Sequence, residues 1–344
     1  MDIDVVIPWV DPSDKAWIES KNKYLGIEDL NKIDNSNNRF RDWKNFKYVF
    51  RGIDKFMPWV HKIYLVTCGQ TPDWMKKNLD DDKLVLVNHK DYIPEKYLPT
   101  FNVNPIELNL HRIKGLSEYF IYMNDDYFII NETKPDDFFV DGLPCDYALE
   151  DPITPNHKDV FNDILINNMI LLNSRYDRRE VLKKQRKKFY SLCDKKAFLT
   201  NMCLRPLKRN DFFGLHYSHL ATNILKSTME KLWDENYETL DKTSANKFRN
   251  SDDVNQFIIK NEQYVTGKFH PYNVNKFGKA IHLDDSVDGA VDELCDVITN
   301  SNYKMICIND FNIVDFDRTR EKVNRALDII LPIPSRCEVE LCII

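Results

Sequence analysis

Glycine is scarce in this chain, with 9 residues among 344. The phosphate-binding motifs GxGxxG and GxxxxGK[ST], which need glycine to bring the backbone close to a phosphate, are both absent. Any phosphate that this protein binds must therefore contact side chains, a metal ion or the N-terminus of a helix.

Several other features are missing, and each absence removes a class of protein. The eight cysteines form no CxxC pair, which disfavours a zinc knuckle or a thioredoxin-like motif and leaves reduced, mostly buried thiols as the simpler interpretation. No apolar run approaches the ~18 residues that a membrane-spanning helix needs. The first residues, MDIDVVIPWV, lack the basic leader of a signal peptide. We therefore expect a cytoplasmic protein.

Charge is unevenly distributed along the chain. The formal net charge of −6 disfavours nucleic-acid binding, because proteins of that class usually carry a basic surface. Lys and Arg nevertheless crowd residues 175–188. Such a stretch is typical of a solvated helix face, and it also fits an arm that contacts an anionic acceptor or a membrane. Our expectations therefore include peripheral contact with the inner face of the cell membrane.

Strands and helices alternate along the first 150 residues. Apolar runs predict strands in IDVVIPWVD, KIYLVTCG, KLVLVNH and YFIYMNDD, and helical spacing predicts helices in FKYVFRGIDKFM, in TPDWMKKNL and after Pro105. This alternation predicts an α/β fold with a mostly parallel sheet and helices on both faces. Ligands of such sheets bind beyond the carboxyl ends of the strands, where Asp11 and the pair Asp125–Asp126 fall.

The remainder of the chain is predicted to be largely helical. HLATNILKSTMEKLW is the clearest helical pattern, KMICIND predicts a strand, and DRTREKVNRALDII predicts a helix that the prolines of LPIPSRCE end. We divide the chain into an α/β part (1–150), a basic helical insert (151–213) and a helical C-terminal part that completes the catalytic domain (214–344).

Candidate chemical groups cluster near these predicted strand ends. Paired carboxylates suit Mg²⁺ or Mn²⁺, although an acidic pair can also simply end a strand at a turn. The arginines of RFRD fit either a phosphate or a surface salt bridge. His111 and Arg112, on the helix predicted after Pro105, are a candidate base and phosphate clamp. His216 and His219 would share one helical face, as a metal or base pair or as structural residues.

Four blocks of this sequence resemble, in order, the four signatures of the Stealth family. IDVVIPWVDPSD resembles the first, and RFRD with the stretch from FKYVFRGIDKFMPWV to SEYFIYMNDDYF resembles the second. HYSHLATNILKSTMEKL with DKTSANKFRNSDDV resembles the third, and CIND with LPIPSRCE resembles the fourth. The family comprises bacterial capsule and surface-polysaccharide hexose-1-phosphate transferases and the catalytic subunit of N-acetylglucosamine-1-phosphotransferase.

The resemblance implies a Rossmann-like, glycosyltransferase-type sheet in which residues 1–150 bind a nucleotide sugar such as UDP-GlcNAc. It further implies transfer of a hexose-1-phosphate to a hydroxyl of a glycan, carried on a lipid in our expectation, with a phosphodiester as product and UMP released. Two alternatives stay open. One is a metal-dependent glycosyltransferase that releases UDP, and the other is a non-catalytic glycan-binding subunit.

The matching positions imply three groups of site residues. The implied metal ligands for Mg²⁺ or Mn²⁺ are Asp125, Asp126, Asn309 and Asp310. The implied catalytic residues are His111, His219, Asp126 and Arg249. The implied substrate-binding residues are Trp9, Asp11, Asp14, Arg39, Arg41, Arg51, Asn104, Arg112, His216 and Asp253.

Three positions depart from the family pattern. Pro8 and Pro12 stand where threonine and glycine are usual, which stiffens the first loop. Asn250 stands where the animal enzyme has a histidine, so that base does not carry over to this chain.

Overall fold

The structure, a computed structural model, describes residues 1–25, 41–76, 82–156 and 160–339. Arg39 and residues 77–79, the last three of the helix predicted in TPDWMKKNL, lie outside the described residues. Within them the strands are β1 (Ile3–Pro8), β2 (Ile63–Thr67), β3 (Leu84–Asn88), β4 (Tyr119–Tyr122), β5 (Tyr127–Ile129), β6 (Phe139–Val140), β7 (Leu143–Asp146), β8 (Thr222–Leu225), β9 (His270–Pro271), β10 (Gly278–Asp284) and β11 (Met305–Asn312).

Thirteen α-helices lie in the described part of the chain. They are α1 (Lys15–Tyr24), α2 (Phe46–Phe56), α3 (Val103–Leu108), α4 (Val160–Asn173), α5 (Arg178–Lys184), α6 (Arg186–Phe189), α7 (Lys195–Leu204), α8 (Lys226–Glu235), α9 (Tyr237–Ala245), α10 (Phe257–Thr266), α11 (Val274–Phe277), α12 (Ala290–Asn300) and α13 (Phe316–Ile330). In the described ranges, no helix is both long and apolar enough to cross a bilayer.

The central sheet has five strands in the order β3-β2-β1-β4-β8. The first four are mutually parallel, and β8 runs antiparallel to β4. Alternate residues of a strand point to opposite faces, so Val5 and Ile7 join one hydrophobic core while Val6 joins a second core on the other side. A sheet buried on both faces is typical of α/β proteins. The predicted Rossmann-like α/β fold with a mostly parallel sheet is confirmed.

A second sheet brings β11, from the C-terminal part of the chain, next to β5, the strand that follows β4. Its order is β10-β11-β5, with β10 parallel and β5 antiparallel to β11. The backbone N–H of Ile308 donates to the carbonyl oxygen of Asp126 at 3.1 Å. This pairing places β11, which is remote in sequence, beside the turn that follows β4. A third small sheet has the order β6-β7-β9.

Several sequence predictions of local structure were wrong. Thr222–Leu225 is strand β8 rather than helix, and α8 begins only at Lys226. A short apolar run has no decisive periodicity, and here the free edge of β4 supplied backbone hydrogen-bond partners. His216 and His219 precede β8 in non-helical chain, so they share no helix face. Residues 71–76 form a turn and an isolated bridge instead of the start of a helix.

The helix predicted after Pro105 is short. α3 begins before Pro105, at Val103, and ends at Leu108, and a separate 3-10 turn carries His111 and Arg112. The predicted helical character of residues 151–213 is seen in α4 to α7. The division of the chain at residues 150 and 213 stays a prediction.

Candidate active site

The carboxyl ends of β1 and β4 lie side by side, because these strands are parallel neighbours in register. Val6 is the partner of Tyr122, and the N–H of Met123 donates to the carbonyl oxygen of Val6 at 3.0 Å. Asp11 follows β1, and Asp125–Asp126 form the turn between β4 and β5. The acidic residues therefore meet at one edge of the sheet, which is where ligands of such sheets bind.

Asp126 is the centre of a three-residue cluster. One ligand atom each from Asp126, His219 and Cys307 lies within 4.8 Å of the other two. The antiparallel register pairs Cys307 with Tyr127, and this brings the Cys307 Sγ to 3.4 Å from Asp126 Oδ2. The His219 ring lies 6.0 Å from that of Tyr127. Three segments far apart in sequence thus converge on one carboxylate.

The charges of this cluster favour a ligand on Asp126. Its recessed position and the neighbouring Asp125 carboxylate raise the pKa of Asp126. Asp126 Oδ1 is buried and has no hydrogen-bond partner among the described residues. Buried acceptors are almost always satisfied in native proteins, so this oxygen calls for a cation or a donor. Burial, followed by the charge of Asp126, strongly raises the pKa of Cys307, which keeps the thiol protonated as a donor to Asp126.

His219 remains neutral at physiological pH. Partial desolvation, and then the nearby ring of His282 at 6.5 Å, lower the pKa of His219. A neutral imidazole is able either to bind a metal or to accept a proton. A carboxylate oxygen with a neighbouring imidazole suits a divalent ion such as Mn²⁺, while Mg²⁺ would rely on the carboxylate, water and phosphate oxygens. The residues therefore fit the predicted divalent metal.

The other predicted metal ligands have separate positions. Asp125 is exposed in the turn. Asp310 accepts a hydrogen bond from Trp43 Nε1 at 3.3 Å and lies 3.7 Å from Arg41 Nη1. Side chains alternate along a strand, so Asp310 and Cys307 point to opposite faces of β11, whereas Asn309 shares the face of Cys307. Of the four predicted ligands, Asp126 alone belongs to the three-residue cluster.

Two aspartates in the loop after β1 stabilise that loop through hydrogen bonds. Asp11 accepts hydrogen bonds from the N–H and hydroxyl of Ser13 at 2.8 and 2.7 Å. Asp14 caps α1 by accepting from Ala16 N–H at 2.8 Å, and Gln70 Nε2 donates to it at 2.9 Å. This Gln70 bond, with the helix-capping bonds, lowers the pKa of Asp14. Trp9 stacks on Phe46 with a ring separation of 5.7 Å.

The predicted arginines fall into distinct environments. Arg41 is half-buried, donates to the carbonyl oxygen of Ile313 at 3.3 Å and lies over the ring of Phe316. It therefore lies beside Asp310, near the carboxyl end of β11. Arg51 is buried and pairs with Glu338 through two hydrogen bonds of 2.6 and 2.7 Å. Arg39 lies outside the described residues.

Asp253 is the centre of a buried polar network. Its carboxylate accepts hydrogen bonds from the side chains of Asn102, Asn104 and Asn246, at 2.8, 2.9 and 2.6 Å, and from the N–H of Asn250 at 3.0 Å. Two predicted binding residues, Asn104 and Asp253, are thus in direct contact. Their bonds fix the loop that carries Arg249.

The charge of Arg249 opposes the rise in the pKa of a buried carboxyl, that of Glu107. Burial raises the pKa of Glu107 to about 7, against the opposing effects of the Tyr122 hydroxyl and the Arg249 charge. Tyr122 donates to Glu107 at 2.5 Å and is the last residue of β4. The charge of Arg249 therefore reaches a carboxyl that is bonded to the last residue of β4.

His111, Arg112 and His216 are not in the Asp126 cluster. His111 and Arg112 pack on the ring of Trp233, at 6.0 and 4.7 Å, and burial, then Arg112 and Lys226, lower the pKa of His111 to about 3. The backbone N–H of Lys226 donates to the carbonyl oxygen of Glu118, just before β4 begins, whereas Asp126 lies after β4 ends. Lys226 is therefore at the opposite end of β4 from Asp126. His216 Nδ1 lies 3.0 Å from the exposed carboxylate of Asp151.

Sequence reasoning missed several residues of this site. Cys307, His282 and Trp43 carry no motif of their own, and Glu107 lies in an ordinary helical stretch. The position of Cys307 within CIND, two residues before Asn309, is the one signal in the sequence that would have placed it near the site.

Two family models match parts of this chain. Residues 1–29 match Stealth protein CR1, conserved region 1, and residues 39–145 match Stealth protein CR2, conserved region 2. Among solved structures, the galactosyltransferase LgtC in complex with donor and acceptor sugar analogues aligns with 94% of this chain and 95% of its own, at 10% identity and a TM-score of 0.37.

Curated relatives match the chain over nearly its full length. The receptor polysaccharide phosphotransferase WefC of Streptococcus oralis is 40% identical over 98% of this chain and 99% of its own. The capsular polysaccharide phosphotransferase WcwK of Streptococcus pneumoniae is 36% identical, with 98% of each chain covered. The exopolysaccharide phosphotransferase cps2G of Lactiplantibacillus plantarum is 35% identical over 98% of this chain and 96% of its own. The chain therefore belongs to the Stealth family, as a phosphotransferase of the Stealth type.

Proposed function

We propose that this protein transfers a hexose-1-phosphate, for example N-acetylglucosamine-1-phosphate, from a UDP-sugar to a hydroxyl of a glycan in the synthesis of a bacterial capsule or surface polysaccharide. The acceptor oxygen attacks the phosphorus that bears the sugar. The bond from that phosphorus to the bridging oxygen of the diphosphate breaks, and UMP leaves. The bond between the sugar and its phosphate stays intact, so the anomeric configuration is retained.

The observation that supports this proposal is the unpaired, buried oxygen of Asp126 at the carboxyl edge of the sheet. A nucleotide diphosphate is strongly anionic, and its negative charge must be offset before a nucleophile approaches phosphorus. Asp126 is the proposed ligand of the Mg²⁺ or Mn²⁺ ion, with Asp125 beside it in the turn and Asn309 on the face of β11 that carries Cys307. When bound, the ion would neutralise charge on the phosphoryl oxygens.

The remaining roles follow from position. Arg41 lies 3.7 Å from Asp310, and the charge of Arg249 reaches Glu107, which bonds to the last residue of β4. We assign both arginines, with Arg39, to the donor phosphates. Trp9, Asp11 and Asp14 would shape the loop against which the donor lies. His219 is better placed than His111 to take the acceptor proton, because its neutral ring adjoins Asp126.

The released nucleotide tests the reaction class. Purified protein is incubated with a panel of UDP-sugars, Mn²⁺ and an oligosaccharide fraction, and the nucleotide is identified by chromatography. We expect UMP together with a phosphodiester signal in the phosphorus NMR spectrum of the glycan. Release of UDP, with no phosphorus in the glycan, would overturn the proposal in favour of a glycosyltransferase.

A matched pair of variants tests the role of Asp126. Asp126→Asn should keep the fold and lower kcat by about 10²–10³-fold, the usual cost of removing one charge-stabilising group. Asp136→Asn, at an exposed acid in the same part of the chain, is the control and should leave kcat unchanged.

Metal binding is measured independently of turnover. Electron paramagnetic resonance of free Mn²⁺ should detect binding to the native protein and its loss in Asp126→Asn. His219→Gln should retain Mn²⁺ binding if His219 is the base. A weakened affinity in this variant would reassign His219 as a metal ligand.

A further inference from the structure

In the structure, some cations of the basic stretch 175–188 are paired within the protein, and others are exposed and form no ion pair with a described residue. Arg175 pairs with the buried Glu262, and Arg178 forms a buried ion pair with Glu150. Lys188 Nζ donates to the carbonyl oxygens of Gly267 and Phe269 at 2.5 and 2.6 Å. These three cations hold the helices together, so they are not available to an external partner.

Exposed cations that form no ion pair with a described residue continue beyond residue 188, the end of the basic stretch predicted from the sequence. Residues 183–209 hold ten Lys or Arg and a single acid, Asp194, in a chain of net charge −6. Asp194 is buried and caps α7 by accepting from Ala197 N–H at 2.9 Å. Nine of the cations lie at exposed positions of α5, α6, α7 and their connections, and they form no ion pair with any described residue: Lys183, Lys184, Arg186, Lys187, Lys195, Lys196, Arg205, Lys208 and Arg209.

Large apolar side chains are exposed among these cations. α7 buries Ala197 and Asn201, which lie one turn apart. Its opposite face carries Leu199 and Met202, and their exposed fractions are 61% and 37%. Leu192 before α7 and Leu207 after it are 70% and 45% exposed.

The elements of this segment are bonded to one another. The guanidinium of Arg178 on α5 donates to the carbonyl oxygens of Leu207 and Leu204, at 2.9 and 3.1 Å. Asn201 on α7 donates to the carbonyl oxygen of Phe189 at the end of α6, at 2.7 Å. α5, α6, α7 and the chain to residue 209 are therefore held together. We call residues 183–209 the basic–apolar surface.

We propose that the basic–apolar surface docks the protein on an anionic lipid bilayer. Exposed leucines flanked by lysines are the composition that interfacial elements use, because the apolar side chains enter the headgroup boundary while the cations meet anionic lipids. A soluble polyanion would satisfy the cations alone. It would leave Leu192, Leu199, Met202 and Leu207 in water, so the bilayer is the occupant that accounts for both features.

The basic–apolar surface is connected directly to the candidate active site. Glu150, the partner of Arg178, forms a β-bridge with Leu215, and the N–H of His216 donates to the carbonyl oxygen of Leu149 at 2.9 Å. His219, in the Asp126 cluster, follows three residues later. These contacts link the docking elements to the site, and presentation of a lipid-linked acceptor there rests on the proposed function.

Vesicle co-sedimentation tests this proposal on the full chain. Native protein should sediment with vesicles of equal parts phosphatidylglycerol and phosphatidylcholine, and not with vesicles of phosphatidylcholine alone. Changing Lys183, Lys184, Arg186 and Lys187 together to Gln should weaken binding by at least about 100-fold, since each cation near an anionic leaflet contributes roughly a fivefold gain in affinity. The control replaces four exposed cations elsewhere, Lys90, Lys114, Lys134 and Arg318, and gives the same net charge.

A second pair of variants tests the apolar contribution. Leu199→Ser with Met202→Ser should weaken vesicle binding by about tenfold or more, in line with the apolar area that these side chains would bury. The control pair is Ile329→Ser with Ile333→Ser, two side chains that are 67% and 76% exposed on another part of the chain. Melting temperatures of all variants should match that of the native protein.

Three results would overturn the proposal. The first is no binding of native protein to the anionic vesicles, and the second is an equal loss of binding in a variant and its control. The third is equally tight binding to a soluble acidic polysaccharide, with an affinity that Leu199→Ser with Met202→Ser does not change. Failure of the proposed reaction is separable, because nucleotide release from UDP-GlcNAc is measured without vesicles and should be unaffected by the surface variants.

Discussion

The Arg51–Glu338 pair offers a test of what a family arginine does in this chain. Arg51 lies on α2, its side chain is 8% exposed, and Glu338 near the end of the described chain is 7% exposed. Arg51 Nη1 also donates to the carbonyl oxygen of Leu331 at 2.9 Å. Glu338 in turn accepts from Ser335 N–H at 2.8 Å. The pair therefore fastens residues 331–338 to α2.

Removing one member of this pair should destabilise the protein strongly. Arg51→Met leaves the Glu338 carboxylate buried without its partner, and breaking a buried pair in this way costs about 3–5 kcal/mol. For a chain of this size we expect the melting temperature to fall by about 4–7 °C. The double variant Arg51→Met, Glu338→Met should be more stable than Arg51→Met alone, since it leaves no uncompensated charge.

Thermal unfolding and the donor KM together decide the role of Arg51. The control is Arg325→Met, which breaks an exposed pair with Glu321 and should cost at most about 1 kcal/mol. If Arg51 is structural, Arg51→Met lowers the melting temperature while the donor KM of the folded enzyme stays within a few-fold. An unchanged melting temperature with a strongly raised donor KM would refute this reasoning and identify Arg51 as a phosphate ligand.

Three further outcomes follow from the site. His219→Gln should lower kcat by about 100-fold, the typical contribution of a positioned base, whereas His216→Gln should leave steady-state rates within a few-fold because it alters an exposed contact with Asp151. Asp253→Ala leaves the side-chain amides that donate to Asp253 without an acceptor. The free energy of unfolding, measured by urea titration, should therefore fall by about 3 kcal/mol or more. Burial raises the pKa of Glu107 from 4.5 to about 7. The stability that Glu107 contributes is therefore complete below pH 4.5 and lost as pH rises through 7, and Glu107→Gln should flatten that decline.

The central sheet could be predicted because its strands are buried on both faces. Apolar runs such as IDVVIP and KIYLVT have one plausible place in a soluble protein, inside a sheet covered by helices. The short strands gave no comparable signal. β8 is four residues long and lies within a stretch that has a helical sequence pattern, so its pairing with β4 became visible only in three dimensions.

The candidate site was harder to predict than the fold. The sequence identified Asp126 through its place after an apolar strand. It offered His219 through its spacing from His216, on a helix that the structure does not have, and through the resemblance. Cys307 and Glu338 were not identified, because each gains its role from a partner far away in the chain: 181 residues separate Cys307 from Asp126, and 287 separate Glu338 from Arg51. Local periodicity carries no information about contacts at that separation.

The four separated sequence blocks have a structural reason to act together. The turn after β4 supplies Asp126, the chain before β8 supplies His219, and β11 supplies Cys307. These groups meet because β8 pairs with β4 while β5 pairs with β11, so two strand registers fix the position of one carboxylate. A shift of one residue in the β5–β11 register would turn Cys307 to the opposite face and leave Asp126 Oδ2 without its donor. The precision of the site thus depends on strand pairing at the edge of the sheet more than on the turn that carries the acids.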